Sequence, residues 1–178
     1  MNKALFLDRD GTVIQHVHYL HKPEEVRLVP GMKEALETAQ SKGYLLFLFT
    51  NQSGVGRGYF TLEEAEACNQ EVIRQLGMGP EPFAGICIAP EAPGQPSNYR
   101  KPSPKFILEM IGEHSLSPNL CWMAGDNQSD LQAGKNAGIQ SVFVHSGIPP
   151  DETTRAYISK ESVPEFPSLL EFSESLPS

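Results

Sequence analysis

Four short segments hold most of the residues able to do polar chemistry at one place. They are Asp8-Arg9-Asp10-Gly11-Thr12, Thr50-Asn51-Gln52-Ser53-Gly54, Arg100-Lys101-Pro102 and Gly125-Asp126-Asn127-Gln128-Ser129-Asp130. Together they offer carboxylates, a hydroxyl and a lysine. A phosphoryl group in transfer spreads negative charge over its equatorial oxygens, so catalysing the transfer is largely positioning and charge neutralisation. Hard carboxylate oxygens suit Mg²⁺, and Asp8 with Asp126 can supply them. Thr50 can donate to phosphoryl oxygens, and Lys101 can add a positive point charge. A carboxylate nucleophile at Asp8 would split hydrolysis into two easier displacements. Asp10, two residues on, could trade a proton with the leaving oxygen. Each segment alone is commonplace: Asp-x-Asp occurs in solvated turns, and Gly-Asp-x-x-x-Asp occurs as a helix cap. What favours chemistry is that each falls, in order, at an expected strand end or helix start.

Such a constellation needs a frame that brings the segments to one rim. Apolar runs rich in strand formers occur at residues 4–7, 44–49, 85–89, 121–124 and 140–144. Between the first two, Met32, Leu36 and Ala39 recur at helical spacing, and Gly43 suits the C-terminal end. Thr61-Leu62-Glu63-Glu64 is a capping box opening a helix with Ala65, Val72 and Leu76 on one face. Ser103-Pro104 predicts a cap and a first-turn proline ahead of Ile107, Met110 and Ile111. A fourth helix is expected from Ser129 to near Gly138. Strand, helix, strand in repetition implies an α/β, Rossmann-like, doubly wound parallel sheet with helices on both faces, in a single domain over 1–178. In such sheets ligands bind outside the carboxyl ends of the strands. Residues 91–104, rich in Pro, Gly and Ser, read as an excursion loop. Residues 150–178 read as a peripheral tail with one short helix near Leu169.

The 178 residues are 39% hydrophobic and 20% charged, which suits one globular core. A net charge of -8, from 14 basic and 22 acidic side chains, disfavours nucleic acid and anionic membranes as partners. A phosphate ligand must therefore rely on local cations. No apolar run approaches a membrane span, and the start, Met1-Asn2-Lys3, leads into a strand without a cleavage region. Cys68, Cys87 and Cys121 are scattered and read as reduced thiols of a cytoplasmic protein.

The ordered motifs resemble those of the haloacid dehalogenase (HAD) superfamily of phosphohydrolases, in Leu5 through Thr12, Phe49-Thr50-Asn51, Lys101, and Gly125 through Asp130. The similarity runs to about Gly147. It implies a nucleophile at Asp8, a general acid/base at Asp10, and phosphoryl stabilisation by Thr50 and Lys101. It also implies Mg²⁺ held by Asp8, the backbone carbonyl of Asp10, and Asp126, with Asp130 behind them. Residues 50–61 and Arg100-Lys101-Pro102 are similar to one branch of the superfamily. That branch holds heptose 1,7-bisphosphate phosphatases and histidinol-phosphate phosphatases, and the Ser53-Gly54-x-x-Arg57-Gly58 form is closer to the former. The resemblance implies a bisphosphorylated sugar as substrate, while the short connections after Thr12 and around Arg57 leave no room for a large cap domain, and a monomer is expected. Substrate contacts are expected from Tyr19, Asn51, Gln52, Ser53, Arg57, Arg100 and Asn127. Histidinol phosphate is the alternative substrate. A receiver-like phospho-accepting module is the alternative of a different class, although receivers place the accepting aspartate after the third strand and Asp8 follows the first.

Two departures from the branch stand out. Its structural zinc ligands are reduced to Cys87, with Ala89, Ser97 and Tyr99 at the other positions, so no structural zinc is expected. In the stretch after the first motif, Gln15 and His16 replace the usual residues and Tyr19 remains. Imidazole favours softer metals than magnesium, so His16 and His18 are expected to face substrate rather than to bind a metal with His21.

Overall fold

A computed structural model describes residues 2–178. Six strands form one parallel sheet: β1 (Asn2–Leu7), β2 (Tyr44–Asn51), β3 (Gly85–Ala89), β4 (Leu116–Gly125), β5 (Gln140–Val144) and β6 (Glu165–Phe166). Their order is β3-β2-β1-β4-β5-β6. The chain therefore winds outward from β1 to one edge, then returns to lay β4 on the other side of β1. That reversal leaves a crevice between the carboxyl ends of β1 and β4, where loops diverge to opposite faces.

Both faces are covered. Helices α1 (Met32–Ser41), α3 (Leu62–Leu76) and α7 (Leu169–Ser175) bury Leu36, Val72 and Phe172 against Leu5 and Leu7 of β1. A short α2 (Ser53–Gly56) follows β2 directly. Helices α4 (Lys105–Glu113) and α5 (Gln128–Asn136) close the other face, over Ala4 and Phe6. Because successive β1 side chains feed opposite cores, the strand is apolar on both sides rather than alternating. Phe6 and Phe47 stack at 4.8 Å between centroids, with Phe106 of α4 edge-on to Phe6 at 6.1 Å. Such pairs contribute about 0.5–1.5 kcal/mol beyond their buried area.

Local signals explain most boundaries. Thr61 caps α3 reciprocally with Glu64, at 3.2 Å and 2.8 Å. β4 reaches back to Leu116, beyond the expected 121–124, because it continues past Pro118 with a shift in its register to β1. In α4 the cap falls on Pro104, one residue later than expected, while Ser103 Oγ accepts from Lys105 N at 3.3 Å.

The segment after Pro149, expected to lie at the periphery, is built in. It supplies α6 (Glu152–Glu161), the edge strand β6, and α7. Leu169, Phe172 and Leu176 are all buried in the core beside α1. Lys42, just past α1, donates from Nζ to the carbonyls of Ser173, Glu174 and Leu176 at 3.0, 2.6 and 2.7 Å, neutralising the exposed C-terminal carbonyls of α7. Residues 91–100 contain no regular element, as the composition implies. Among the described residues, no helix is long and apolar enough to cross a membrane.

Candidate active site

The crevice at the β1/β4 reversal opens into a cavity of about 440 Å³, within the range of small-molecule sites. Asp8 follows β1 and Asp126 follows β4, and the adjacency of the strands sets their spacing. One oxygen from each of Asp8, Asp126 and Asp130 lies within 4.8 Å of the others.

Lys101 ties this floor together. It enters from the segment before α4 and is almost completely buried. Its Nζ contacts Asp8 Oδ1 at 2.6 Å, Asp130 Oδ1 at 2.7 Å and the Phe49 carbonyl at 2.7 Å, so all three ammonium donors are directed. Burial alone would lower its pKa, but Asp130 and Asp8 outweigh that and hold it above the usual lysine range. Asp130 is doubly committed, because its Oδ2 also accepts from Asn127 N at 3.0 Å as half of the α5 capping box. That leaves Asp8 and Asp126 as the carboxylates with free ligating capacity.

Both are electrostatically frustrated. Burial, together with repulsion from Asp130 and Asp10, pushes Asp8 up to about 7 despite the Lys101 ammonium. Burial and the charges of Asp8 and Asp130 push Asp126 up to about 8. Burial and mutual repulsion thus disfavour ionising the buried Asp8 and the half-buried Asp126 together, and a bound cation would relieve both. The backbone is shaped to admit the Asp126 carboxylate. A Cβ on Gly11 would come within 2.1 Å of its Oδ2, and one on Gly147 within 1.8 Å. Hard oxygens in a solvent-accessible crevice fit Mg²⁺, which keeps several waters and takes one or two protein carboxylates.

Asp10 lies outside that cluster. Its Oδ2 accepts from Gln52 Nε2 at 2.7 Å, Arg9 Nε at 3.1 Å and Thr50 Oγ1 at 3.4 Å, while its Oδ1 accepts only from Arg9 Nη2, at 3.1 Å. Its side chain still borders the cavity. The expected metal contribution of Asp10 was through its backbone carbonyl, and its carboxylate is accordingly occupied elsewhere.

The expected substrate contacts divide. Ser53, Arg100 and Asn127 line the cavity, as does His16. Asn51 borders it too, but its amide clamps the Lys101 backbone, accepting from N at 2.9 Å and donating to O at 3.1 Å. Gln52 is buried and holds Asp10 and Thr50. Arg57 is exposed and lies outside the lining, flanking Arg100. Tyr19 is also outside it, packed edge-on against Tyr59 at 4.8 Å with a backbone φ of 50°. Neither reaches the cavity because the 15–22 loop folds onto the turn before α3 instead.

Two contributors were not anticipated. Arg9 is wholly buried and forks onto Asp10. The readable signal was Asn69, a polar residue on the apolar stripe of α3 that accepts from Arg9 Nη1 at 3.0 Å. The other is the wall formed by Ile148, Pro149, Pro150, Asp151 and Thr154, leading into α6. Its sequence carries no motif.

A family model described as HAD-hydrolase-like matches residues 98–170. The chain is 36% identical to the D-glycero-beta-D-manno-heptose-1,7-bisphosphate 7-phosphatase of Pasteurella multocida, over 96% of this chain and 97% of that enzyme. It is 39% identical to the enzyme of the same name from Helicobacter pylori, over 79% and 82% of the two chains. Its structure is similar to that of a D,D-heptose 1,7-bisphosphate phosphatase from B. bronchiseptica complexed with magnesium and phosphate. The TM-score is 0.84 and the identity 26%, covering 99% of this chain and 98% of the other.

Proposed function

This chain belongs to the family of the D-glycero-D-manno-heptose-1,7-bisphosphate 7-phosphatases within the HAD-like hydrolases, and from that membership we propose that it removes the 7-phosphate of such a bisphosphate. The observation that carries the reading is the Asp8–Lys101–Asp130 ion-pair set with Asp126 beside it, at the sheet's reversal point. Lys101 holds Asp8 Oδ1, which leaves the other carboxylate oxygen free to attack phosphorus. In the first half-reaction the bond from phosphorus to the sugar oxygen breaks as the bond to Asp8 forms, and Asp10 gives its proton to that oxygen. In the second, Asp10 takes a proton from water, which displaces Asp8 and releases phosphate. Lys101 stabilises charge on the phosphoryl oxygens, whereas the Thr50 hydroxyl, fully buried and donating to Asp10 Oδ2 at 3.4 Å, would have to turn from Asp10 to reach them. Asp8, the Asp10 carbonyl and Asp126 would hold Mg²⁺, which supplies charge neutralisation at the phosphoryl group.

Arg100, at the cavity edge, is the cation we assign to the second phosphate, since a guanidinium fork matches phosphate oxygens. Every group named lies on one chain, so a monomer suffices. Three free thiols suit a reducing cytoplasm. The test is phosphate release with Mg²⁺ from heptose 1,7-bisphosphate, histidinol phosphate and simple sugar phosphates. The bisphosphate should give the highest kcat/KM, with the 1-phosphate left on the product. Preference for histidinol phosphate would move the assignment to the sister activity.

A further inference from the structure

Arg9 is the largest of the fully buried side chains, and the chemistry above gives it no role. A guanidinium is costly to bury unless each of its donors is satisfied. Here Nε and Nη2 meet the two oxygens of Asp10, and Nη1 meets Asn69 Oδ1 at 3.0 Å and the Ala65 carbonyl at 3.5 Å. Arg9 thus bolts a carboxylate at the end of β1 to the middle of α3, the longest helix.

The contacts on Asp10 are asymmetric. Oδ2 accepts from three side chains, and Oδ1 from Arg9 alone. An oxygen crowded by donors cannot also carry a proton, so a proton on this carboxyl sits on Oδ1. We infer that Arg9, braced by Asn69, is a positioning residue that fixes the Asp10 carboxyl so that Oδ1 is the oxygen exchanging a proton with the leaving group. This rests on the phosphatase reading above. Without the fork, the carboxyl can rotate about its terminal bond, a broad torsion, and the proton is delivered from the wrong oxygen or the wrong angle. The energetic consequence falls only on substrates that need the proton.

Leaving-group dependence separates this role from a merely structural one. An alkyl sugar phosphate departs as a basic alkoxide and depends on the acid, whereas 4-nitrophenyl phosphate departs as a stable phenolate and depends on it little. Arg9→Met should lower kcat/KM for the alkyl ester by about 100-fold and for the aryl ester by about threefold, in line with general-acid contributions. Asn69→Ala, a milder change on α3, should lower the alkyl value by about fivefold with a smaller aryl loss. The double variant Arg9→Met/Asp10→Asn should be no slower than Asp10→Asn, because both act through one proton transfer. Equal losses on the two esters, in whichever variant folds, would overturn the inference and leave Arg9 as a scaffold residue. Wild-type protein turning over neither ester would instead overturn the phosphatase reading, and this inference with it.

Discussion

Arg100 and Lys101 are neighbours in sequence but belong to regions built on different terms. Lys101 is buried, with its ammonium shared among Asp8, Asp130 and the Phe49 carbonyl, and its backbone is clamped on both sides by Asn51. Arg100 is half-exposed and donates to one carbonyl, that of Glu91 at 3.0 Å. Around Lys101 the ammonium has two carboxylate partners and a carbonyl, and the backbone two amide bonds, so each group fixes the next. Around Arg100 the 91–100 loop is held by neutral bonds at its margins. Gln95 accepts from Ala92 N at 2.7 Å and donates to the Gly56 carbonyl at 3.3 Å, while Ser97 Oγ accepts from Arg100 N at 3.0 Å. The floor is over-determined and the loop is adjustable. Chemistry common to many phosphate esters can sit on the first, and selection among sugars on the second.

The sharpest way to break that contrast is to disturb the floor. Asp8→Asn should cut kcat/KM by about 10⁴-fold or more, because an amide neither attacks phosphorus nor balances Lys101. Lys101→Ala should do nearly as much. It would leave Asp8 and Asp130 buried without their cation, so a fall in thermal midpoint is expected too. Steady-state kinetics on any turned-over phosphate ester tests both, and near-normal turnover by Asp8→Asn would sink the covalent mechanism.

This contrast also decides what was legible in the sequence. The convergence of Asp8, Asp10, Lys101 and Asp126 on one cavity was readable because each falls at a strand end or helix start of a parallel sheet. The residues proposed to meet substrate divide, with Ser53, Arg100 and Asn127 at the cavity and Tyr19 and Arg57 outside it, because the same residue types also serve packing. Part of the Ser53–Gly58 signature proves to be structural. A Cβ on Gly56 would sit 2.5 Å from Ala92 N, so the glycine lets the excursion loop lie against α2. Asn51 and Gln52, read as substrate contacts, also hold Lys101 and Asp10. The sheet's first five strands followed from apolar runs. β6 has two residues and α6 only two buried side chains, too little apolar pattern to detect.

A smaller effect should come from the loop side. Arg100→Ala should lower kcat/KM for a sugar bisphosphate by about tenfold, equivalent to about 1.4 kcal/mol, and for a small monophosphate by about twofold. Equal losses on both substrates would place Arg100 with the floor and erase the distinction.

Metal removal sharpens the same comparison through pH. Asp8 and Asp126 bind protons more tightly in the folded chain than as free aspartates, with folded values of about 7 and about 8 against 3.8. Between those limits the folded state holds more protons, so stability present below about 3.8 is lost as pH rises through the folded values. In chelator the thermal midpoint should therefore be lower at pH 8 than at pH 5.5, and Mg²⁺ should restore more of it at pH 8. Activity should vanish with the metal at either pH. A midpoint in chelator that rises from pH 5.5 to 8 would show that these carboxylates are not held apart as described.

The smallest effect belongs to Gln95, whose amide bridges the loop to the last residue of α2. The zinc set expected from the resemblance would need ligands at 97 and 99, but here Ser97 and Tyr99 are engaged otherwise. Tyr99 donates to Glu109 at 3.2 Å, and its ring lies 4.6 Å from Lys105 Nζ. The remaining thiol, Cys87, is pushed up to about 12, chiefly by burial, so its thiolate is scarce at neutral pH. Metal analysis of the purified chain should accordingly find no stoichiometric zinc, and one equivalent per chain would mean the loop is braced as in the branch. If Gln95 is the brace instead, Gln95→Ala should cost about 1 kcal/mol, the net worth of a neutral hydrogen bond or slightly more. For a chain of this length that is about 2–4 °C in the thermal midpoint. Its kinetic effect should be confined to KM for the bisphosphate, because the loop carries Arg100 while Lys101 keeps its own clamp through Asn51. A fall in kcat for a small monophosphate would show that the loop and the floor are one unit after all.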